Sequence, residues 1–265
     1  MICFSQIGQY GRLGNQLFQY ALVKSVSLKL DMPLYLPNLN GKVWHGQECL
    51  LPKFNIKYTE GNIDCKFTFV EKLPNQFDSS VFKVRPQTDF IGFFQHPSYF
   101  LEYKDTLLSE FSLKDTDQAV RCKDYLSKFN NPTSIHVRLG DYYHGNHCHE
   151  NYLKLFKDYV VQAISLLPKN TDFLIFTGGS RLGNNDRDSD FKICKDLFFE
   201  YNFHYVEENL ELIDLELIKN CKNTIMGWDS TFSWWASFLN ENQNVICTDK
   251  YQKLHLQKLS NWTIL

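Results

Sequence analysis

The second half of the chain alternates short apolar runs with longer amphipathic segments, and this alternation limits the possible folds more than any other sequence feature. Segments of helical length at 150–167, 187–200, 209–219 and 230–240 separate the apolar runs. Strands that alternate with helices of this length form βαβ units, so we predict an α/β fold with a parallel sheet. Such sheets bind ligands at the carboxyl ends of their strands. The predicted strands are SIHVRLG (134–140), DFLIFTG (172–178), FHYVE (203–207), TIMGW (224–228) and NVICT (244–248).

The first half of the chain shows the same pattern less regularly. GRLGNQLFQY (11–20) opens an apolar stripe at helical spacing. We predict strands at 33–37 and 89–95, a helix at 97–111, and a second helix from 115 or 116 to 129. Positions 40–88 give no clear pattern.

The segment NNPT (130–133) interrupts the pattern between the two halves. We therefore predict a first domain at 1–130 and a second domain at 131–265, whose last residues pack back on the first domain.

Composition and charge exclude several classes of protein. The 265 residues are 43% hydrophobic, enough for two compact domains with ordered cores. The formal charge of −2, with Lys and Arg spread along the chain, argues against a nucleic-acid partner. No apolar run approaches the length of a membrane span, and eight scattered cysteines without a CxxC pair indicate reduced thiols. We therefore expect a cytoplasmic protein, and nothing in the sequence indicates an oligomeric state.

The segment SIHVRLGDY (134–142) carries polar side chains at the end of a predicted strand. Alternation along the strand places Ile135, Val137 and Leu139 on an apolar face, and His136 and Arg138 on the opposite face. Arg138 offers a planar fork of donors suited to phosphate oxygens, so the segment is a candidate anion site. Pairing of Arg138 with a structural carboxylate explains the same pattern equally well.

The segment MGWDSTFSWWASFLN (226–240) predicts a helix that follows a strand. Asp229 or Ser230 is a natural N-cap, and Ser230 and Thr231 lie where backbone N–H groups point outward. A helix start of this kind can bind an anion. Ordinary capping is the favoured interpretation when the segment is considered alone.

The opening motif spaces its glycines as G-x-x-G-x-x-G, at Gly8, Gly11 and Gly14. This spacing matches neither the dinucleotide-binding motif nor the P-loop. Arg12 and Asn15 are nonetheless polar groups at a predicted strand-to-helix turn. A tight turn with Asn15 as a helix cap accounts for these residues as well as a ligand site does.

The segment HGNHCHE (144–150) holds His144, His147 and His149 close together. No second Cys/His pair lies at zinc-site spacing from this cluster. A polar loop near the active site is favoured over a metal-binding module.

Three segments together resemble one enzyme family. GRLGNQLFQYA, SIHVRLGDY and DSTFSWWASFL are similar, in order and spacing, to the GGLGNQMFQYA, H-x-R-R-G-D-Y and N-S-S-F-S-W-W-A motifs of the α-1,2-fucosyltransferases of glycosyltransferase family eleven. The closing residues also resemble the C-terminal W-x-x-I of that family. The resemblance spans nearly the whole chain except 40–88.

This resemblance implies a GT-B architecture, in which two Rossmann-like domains with parallel sheets face each other across a cleft. It implies that the domain at 1–130 lies on the acceptor side and that the domain at 131–265 binds GDP-fucose. It implies an inverting transfer of L-fucose from GDP-fucose to the 2-hydroxyl of a galactose-containing acceptor glycan, with no metal or other cofactor required. Within this scheme His136 contacts the nucleoside and Arg138 neutralises the leaving β-phosphate. Asp229, Ser230 and Thr231 belong to the donor site.

The remaining roles follow from the same resemblance. Arg12, Gly14 and Asn15 of the first domain lie near the fucose and phosphate. Asp141 is the candidate general base for the acceptor hydroxyl, with His144 and Glu150 as alternatives.

The chain departs from the family pattern at several positions. Leu139 replaces the second Arg of H-x-R-R-G-D-Y, and Gly178 and Gly179 stand where the family has an acidic pair. Asp229 stands where Asn is common. These differences leave open a transferase with another donor or linkage, or a catalytically silent glycan- or nucleotide-binding protein.

Overall fold

The computed structural model describes two compact units, each built on its own parallel sheet. The units are Met1–Asp115 and Thr116–Leu265. The division falls before the boundary that we place at 130, because the helix at Thr116–Leu126 packs on a helix of the second unit. The described residues are 1–41, 43–44, 47–61, 64–140, 143, 150–178, 187–207, 210–240, 243–250 and 256–265.

The first unit contains a five-stranded parallel sheet with strand order β5-β2-β1-β7-β6. A separate antiparallel pair, β3 and β4, lies between β2 and β5 in the chain. The strands are β1 (Ile2–Cys3), β2 (Leu34–Leu36), β3 (Val43–Trp44), β4 (Gln47–Glu48), β5 (Thr59–Glu60), β6 (Phe67–Val70) and β7 (Thr88–Ile91).

Helix α1 (Leu13–Lys29) is buried along most of its length and carries the apolar stripe predicted from the sequence. The predicted helix at 97–111 is instead two 3-10 turns followed by a short helix α2 (Lys104–Glu110). The break occurs at Phe100, whose backbone is not helical and whose buried ring packs 5.9 Å from that of Phe18. Further 3-10 turns are Leu51–Lys53 and Ser79–Lys83.

The second unit contains a six-stranded parallel sheet with strand order β10-β9-β8-β11-β12-β13. Each predicted strand and helix of this half is present, with ends shifted by a few residues. The strands are β8 (Thr133–Val137), β9 (Phe173–Thr177), β10 (His204–Tyr205), β11 (Asn223–Ile225), β12 (Asn244–Cys247) and β13 (Thr263–Ile264). The helices are α3 (Thr116–Leu126), α4 (Tyr152–Ser165), α5 (Arg187–Leu197), α6 (Glu211–Asn220) and α7 (Thr231–Phe238).

The C-terminal residues belong to the second sheet. Ile246 and Cys247 of β12 pair with Thr263 and Ile264 of β13. The indole N–H of Trp234 also donates to the carbonyl of Gln257, 2.8 Å away. The expected packing of the last residues on the first domain stays a prediction.

Two cysteines of the first unit lie close together. The Cα atoms of Cys3 and Cys65 are 7.6 Å apart, because β1 and β6 both flank β7 and the segment before β6 comes within reach of β1. This separation is longer than a disulfide ordinarily spans, so the expectation of reduced thiols stays a prediction for this pair. The other cysteines of the described chain are all buried: Cys49, Cys122, Cys194, Cys221 and Cys247.

The core of the second unit confirms the predicted alternation along β8. Ile135, Val137 and Leu139 are buried in one apolar cluster with Phe156 of α4 and Trp228. Leu139 is 4% exposed, so an apolar residue at this position is stabilised by burial. No helix in the described ranges is long and apolar enough to cross a membrane.

A buried charge cluster joins helices α1 and α2 of the first unit. The Tyr20 hydroxyl donates to one oxygen of Glu110 at 2.5 Å, and the Lys24 ammonium contacts the other at 2.7 Å. The side chains of Lys24 and Glu110 are 11% and 4% exposed. Loss of one member leaves a charge poorly solvated, which is costly in a protein interior.

We predict that Glu110→Ala lowers the free energy of unfolding by about 3–5 kcal/mol, because Lys24 then loses its buried counter-ion. Glu102→Ala is the matched control, since Glu102 pairs with Lys29 at the surface and such pairs contribute about 1 kcal/mol or less. Urea denaturation of both variants measures the difference. Equal losses would show that burial does not strengthen the Lys24–Glu110 pair.

Candidate functional site

Strand β8 ends in a segment whose backbone is fixed by side chains from neighbouring elements. The Thr177 hydroxyl at the end of β9 donates to the carbonyl oxygen of Val137 at 2.8 Å. The Tyr152 hydroxyl of α4 donates to the carbonyl oxygen of Arg138 at 2.9 Å. These two bonds fix the backbone from which the Arg138 side chain projects.

A buried carboxylate holds the turn that follows Arg138. Asp190 of α5 accepts the backbone N–H of Gly140 at 3.1 Å and is 2% exposed. Gly140 has φ +54°, a conformation that glycine adopts without a Cβ penalty. Sequence analysis missed Asp190, because a carboxylate in a charged helical segment shows no periodic signal that distinguishes a buried partner from a solvated one.

His136 lies in a tight space between β8 and the chain after β11. Its ring centroid is 5.6 Å from that of Phe232, and a Cβ at Gly227 would lie 2.5 Å from its Nδ1. Nδ1 is buried and has no hydrogen-bond partner among the described residues. Burial, together with the nearby Arg138, lowers the pKa of His136 to about 3, so the imidazole is neutral at physiological pH.

The start of α7 is capped by its own hydroxyl groups. Ser230 is the N-cap and accepts the backbone N–H of Ser233 at 3.1 Å, while the Ser233 hydroxyl accepts the N–H of Gly227 at 3.1 Å. Asp229 is 1% exposed and has φ +49°. Thr231 is buried at the first helical position. The capping interpretation of Ser230 is therefore confirmed, and its hydroxyl hydrogen can still be donated to another group.

A cation that the sequence analysis did not select lies near this helix start. The Lys258 ammonium donates to the carbonyl oxygen of Leu256 at 2.8 Å and is half-buried. Burial lowers the pKa of Lys258, while the negative charges of Asp249 and Asp229 act in the opposite direction. The helix start thus combines an interior carboxylate with a nearby positive charge.

In the first unit, the opening motif forms the turn between β1 and α1. Gly11 has φ +79°, and a Cβ there would lie 2.3 Å from Nδ2 of Asn15. Arg12, rather than Asn15, is the N-cap residue, and it makes no side-chain capping bond. The interpretation of Asn15 as a cap is wrong, because its Oδ1 accepts instead from Nε2 of Gln95 at 2.7 Å. Gly14 is buried within the first turn of α1.

Two glutamines of α1 attach neighbouring loops to the helix. Gln16 donates to the carbonyl of Gly11 at 3.3 Å and accepts the N–H of Leu50 at 2.9 Å. Gln19 donates to the carbonyl of Gly92 at 3.2 Å. The amide side chains of this motif therefore position backbone at the carboxyl end of the first sheet.

Several predicted site residues lie outside the described residues. These include Asp141, the candidate base, and the cluster His144, His147 and His149. Gly179 is also outside, whereas Gly178 follows β9 with φ +116°. Glu150 is exposed before α4. Within the described ranges, no group of three or more His, Cys, Asp or Glu side chains could hold a metal ion.

The structure therefore brings His136 and Arg138 together at the carboxyl end of β8, and places Gly227 and Phe232, which lead into and lie on α7, against His136. Arg12, Gly14 and Asn15 meet at the start of α1 in the other unit. Two parallel α/β sheets with polar residues at strand ends and helix starts are the features of the GT-B-like class.

Comparison with known proteins supports this class and identifies the family. The NodZ α-1,6-fucosyltransferase of Bradyrhizobium superposes with a TM-score of 0.59 at 14% identity, covering 98% of this chain and 99% of NodZ. The predicted GT-B-like α/β fold is thus confirmed. The family model for glycosyl transferase family 11 matches residues 4–264, and the chain belongs to that family.

Two Escherichia coli relatives extend over most of the chain. An α-1,2-colitosyltransferase is 27% identical over 267 residues, covering 86% of this chain and 85% of the relative. The O-antigen biosynthesis glycosyltransferase WbnK is 26% identical over 287 residues, covering 89% and 90%. The resemblance seen in the sequence motifs is confirmed, and the chain is a glycosyltransferase.

We predict that His136 makes the protein less stable in acid. Its pKa in the folded state is below the ordinary value of 6.5, so its contribution to stability is complete above that pH and is lost as the pH falls toward about 3. The loss is at most about 1.4 kcal/mol per pH unit. Between pH 7 and pH 5, the free energy of unfolding should therefore fall more for the wild type than for His136→Gln. Equal falls in the two proteins would contradict a buried neutral imidazole.

We predict that Asp190 positions the segment after β8. Asp190→Ala leaves the Gly140 N–H without its acceptor and should destabilise the fold by about 1–3 kcal/mol. Transfer activity should fall about tenfold or more in kcat, since Arg138 is then less well oriented. Asp190→Asn keeps an acceptor oxygen, so this variant should retain most of the stability and most of the kcat. Equal loss of kcat in the two variants would mean that the charge, and not the hydrogen bond, is what matters.

Proposed function

We propose that this chain transfers L-fucose from GDP-fucose to the 2-hydroxyl of a galactose-containing acceptor, with inversion at the fucose anomeric carbon. Membership of glycosyl transferase family 11 along nearly the whole chain supports sugar transfer. The structure of NodZ soaked with GDP-fucose supports the donor. The name of the E. coli α-1,2-colitosyltransferase supports an α-1,2 linkage, and that of WbnK supports O-antigen synthesis. We infer a role in making a surface polysaccharide.

The observation that carries the proposal is the position of His136 and Arg138 on one face at the carboxyl end of β8, with His136 against Gly227 and Phe232. A neutral imidazole can exchange hydrogen bonds with a nucleoside without adding charge. We assign the permanent charge of Arg138 to the phosphate. These two roles fit a donor that has both an uncharged nucleoside and a diphosphate.

The reaction requires stabilisation of the leaving group. When the bond between the fucose anomeric carbon and the phosphate oxygen breaks, negative charge grows on the β-phosphate of GDP. Arg138 supplies a bidentate donor pair, and the backbone N–H groups at the start of α7 add partial positive charge. Donors fixed in advance in this way contribute a few kcal/mol each to transition-state stability. We propose that these groups suffice and that the reaction does not require a metal ion.

The acceptor hydroxyl must lose a proton as it attacks the anomeric carbon. We propose Asp141 as the general base, since it directly follows the segment held by Asp190.

A closely related second function is transfer of colitose. One E. coli relative is named as an α-1,2-colitosyltransferase, and Gly178 stands where an acidic residue is common in the family. A changed residue next to β9 would alter contacts with the donor. The two functions differ in the donor and share the linkage.

A donor screen tests these proposals. The purified chain is incubated with GDP-fucose or GDP-colitose, with lactose or methyl β-galactoside as acceptor, and with EDTA in excess. We expect product in EDTA, with an α-1,2 linkage by NMR. Turnover with GDP-colitose alone would replace the fucose proposal. GDP binding without any turnover would favour a silent nucleotide-binding protein, and loss of activity in EDTA would contradict the metal-independent mechanism.

We predict that Arg138→Ala lowers kcat by about 100-fold or more, because one charged transition-state donor is lost. Arg138→Lys should recover only part of the rate, since an ammonium lacks the planar fork. Arg121→Ala is the matched control, because Arg121 lies on the surface of α3 and contacts Gln118. Activity retained in Arg138→Ala would refute the assigned role.

A further inference from the structure

The loop after β7 holds an exposed aromatic ring in a fixed position. Phe93 is 37% exposed, whereas the next residue, Phe94, is fully buried. The loop lies at the carboxyl end of a central strand of the first sheet, where α/β proteins bind ligands.

The backbone of this loop adopts unusual conformations on both sides of Phe93. Gly92 has φ +150°, and Phe94 has φ +54°. A positive φ at a bulky residue such as Phe94 is rare, and such outliers concentrate at ligand-binding and catalytic sites. A Cβ at Gly92 would lie 2.4 Å from Cβ of Glu71, so the glycine is required for close packing.

Glu71 holds the loop in this conformation. Its two carboxylate oxygens accept the N–H groups of Phe93 and Phe94, at 2.8 and 3.0 Å. The Phe94 ring is packed edge-on against the rings of Phe4 and Tyr99, at 6.2 and 5.8 Å. The Phe93 backbone is thus held by the buried ring of Phe94 and by the carboxylate of Glu71.

The loop is also tied to the opening motif. Nε2 of Gln95 donates to Oδ1 of Asn15, and Nε2 of Gln19 donates to the carbonyl of Gly92. Both Asn15 and Gln19 belong to α1. Two amide hydrogen bonds therefore attach the loop that carries Phe93 to the helix that carries the motif.

We propose that Phe93 is a stacking platform for the acceptor sugar, with Glu71 as its positioning residue. An exposed ring on a preorganised loop loses little conformational entropy when it binds. Pyranose rings present C–H faces that pack on aromatic rings, and amide groups satisfy their hydroxyls. A single exposed ring at the carboxyl end of a sheet strand fits the C–H face of a sugar. This inference rests on the proposed function, because it assigns the acceptor side of that reaction.

Kinetics of Phe93 variants test the platform. Phe93→Ala should raise the acceptor KM about tenfold while the KM for the GDP-sugar donor changes less than twofold. Phe93→Trp should keep the wild-type acceptor KM, since it retains an aromatic face. Phe199→Ala, which removes an exposed Phe from the second unit, is the matched control and should change neither value. An unchanged acceptor KM in Phe93→Ala would overturn the proposal.

Glu71→Gln provides the positioning test. It keeps one acceptor oxygen but loses the pair of carboxylate acceptors, so the acceptor KM should rise while the donor KM stays constant. Glu71→Ala should have the larger effect. A uniform fall in kcat with no change in the acceptor KM would assign Glu71 to stability alone.

A direct binding measurement tests this inference independently of the proposed function. Saturation-transfer NMR with methyl β-galactoside, methyl β-glucoside and methyl β-N-acetylglucosaminide requires no turnover. Binding by the wild type that is lost in Phe93→Ala supports the platform even if the donor screen shows no transfer. Transfer in the donor screen with sugar binding unaffected by Phe93→Ala would leave the proposed function standing and overturn the platform.

Discussion

Strand β8 (Thr133–Val137) is paired in parallel on both sides, and the arrangement of the second unit depends on this pairing. Its register with β9 and β11 determines which side chains point to each face. One face is buried with Phe156 and Trp228, so Ile135 and Val137 are apolar. The opposite face carries His136, and the strand ends where Arg138 begins. A register shift of one residue would exchange the two faces and place the polar residues in the apolar cluster.

The same physical logic operates at the start of α1 in the first unit. Buried amide side chains on this helix satisfy backbone groups in loops that the sheet brings nearby. Gln16 and Gln19 act in this way, and Asn15 anchors Gln95. The motif thus combines a glycine turn, an apolar core helix and a set of loop anchors. Its polar residues serve the structure even where no ligand is involved.

The departures from the family pattern have different structural explanations. Leu139 is buried in the core, so its apolar character is accounted for by packing. Asp229 is a buried carboxylate at a helix start, and Lys258 lies nearby. Gly178 adopts a positive φ that favours glycine, so the turn after β9 accounts for the residue independently of any change in donor.

The sequence by itself determined the α/β class, the two parallel sheets and the family. The period and spacing of apolar residues carry that information, because these residues recur regularly along each strand and helix. The faces of β8 and the turn at Gly11 were predictable for the same reason. The tertiary structure alone decided which distant groups meet. Asp190 and Gly140 are 50 residues apart, and Gln95 and Asn15 are 80 apart. A hydrogen bond between such residues leaves no periodic trace in the sequence, since it depends on how the parallel strands place their carboxyl ends together.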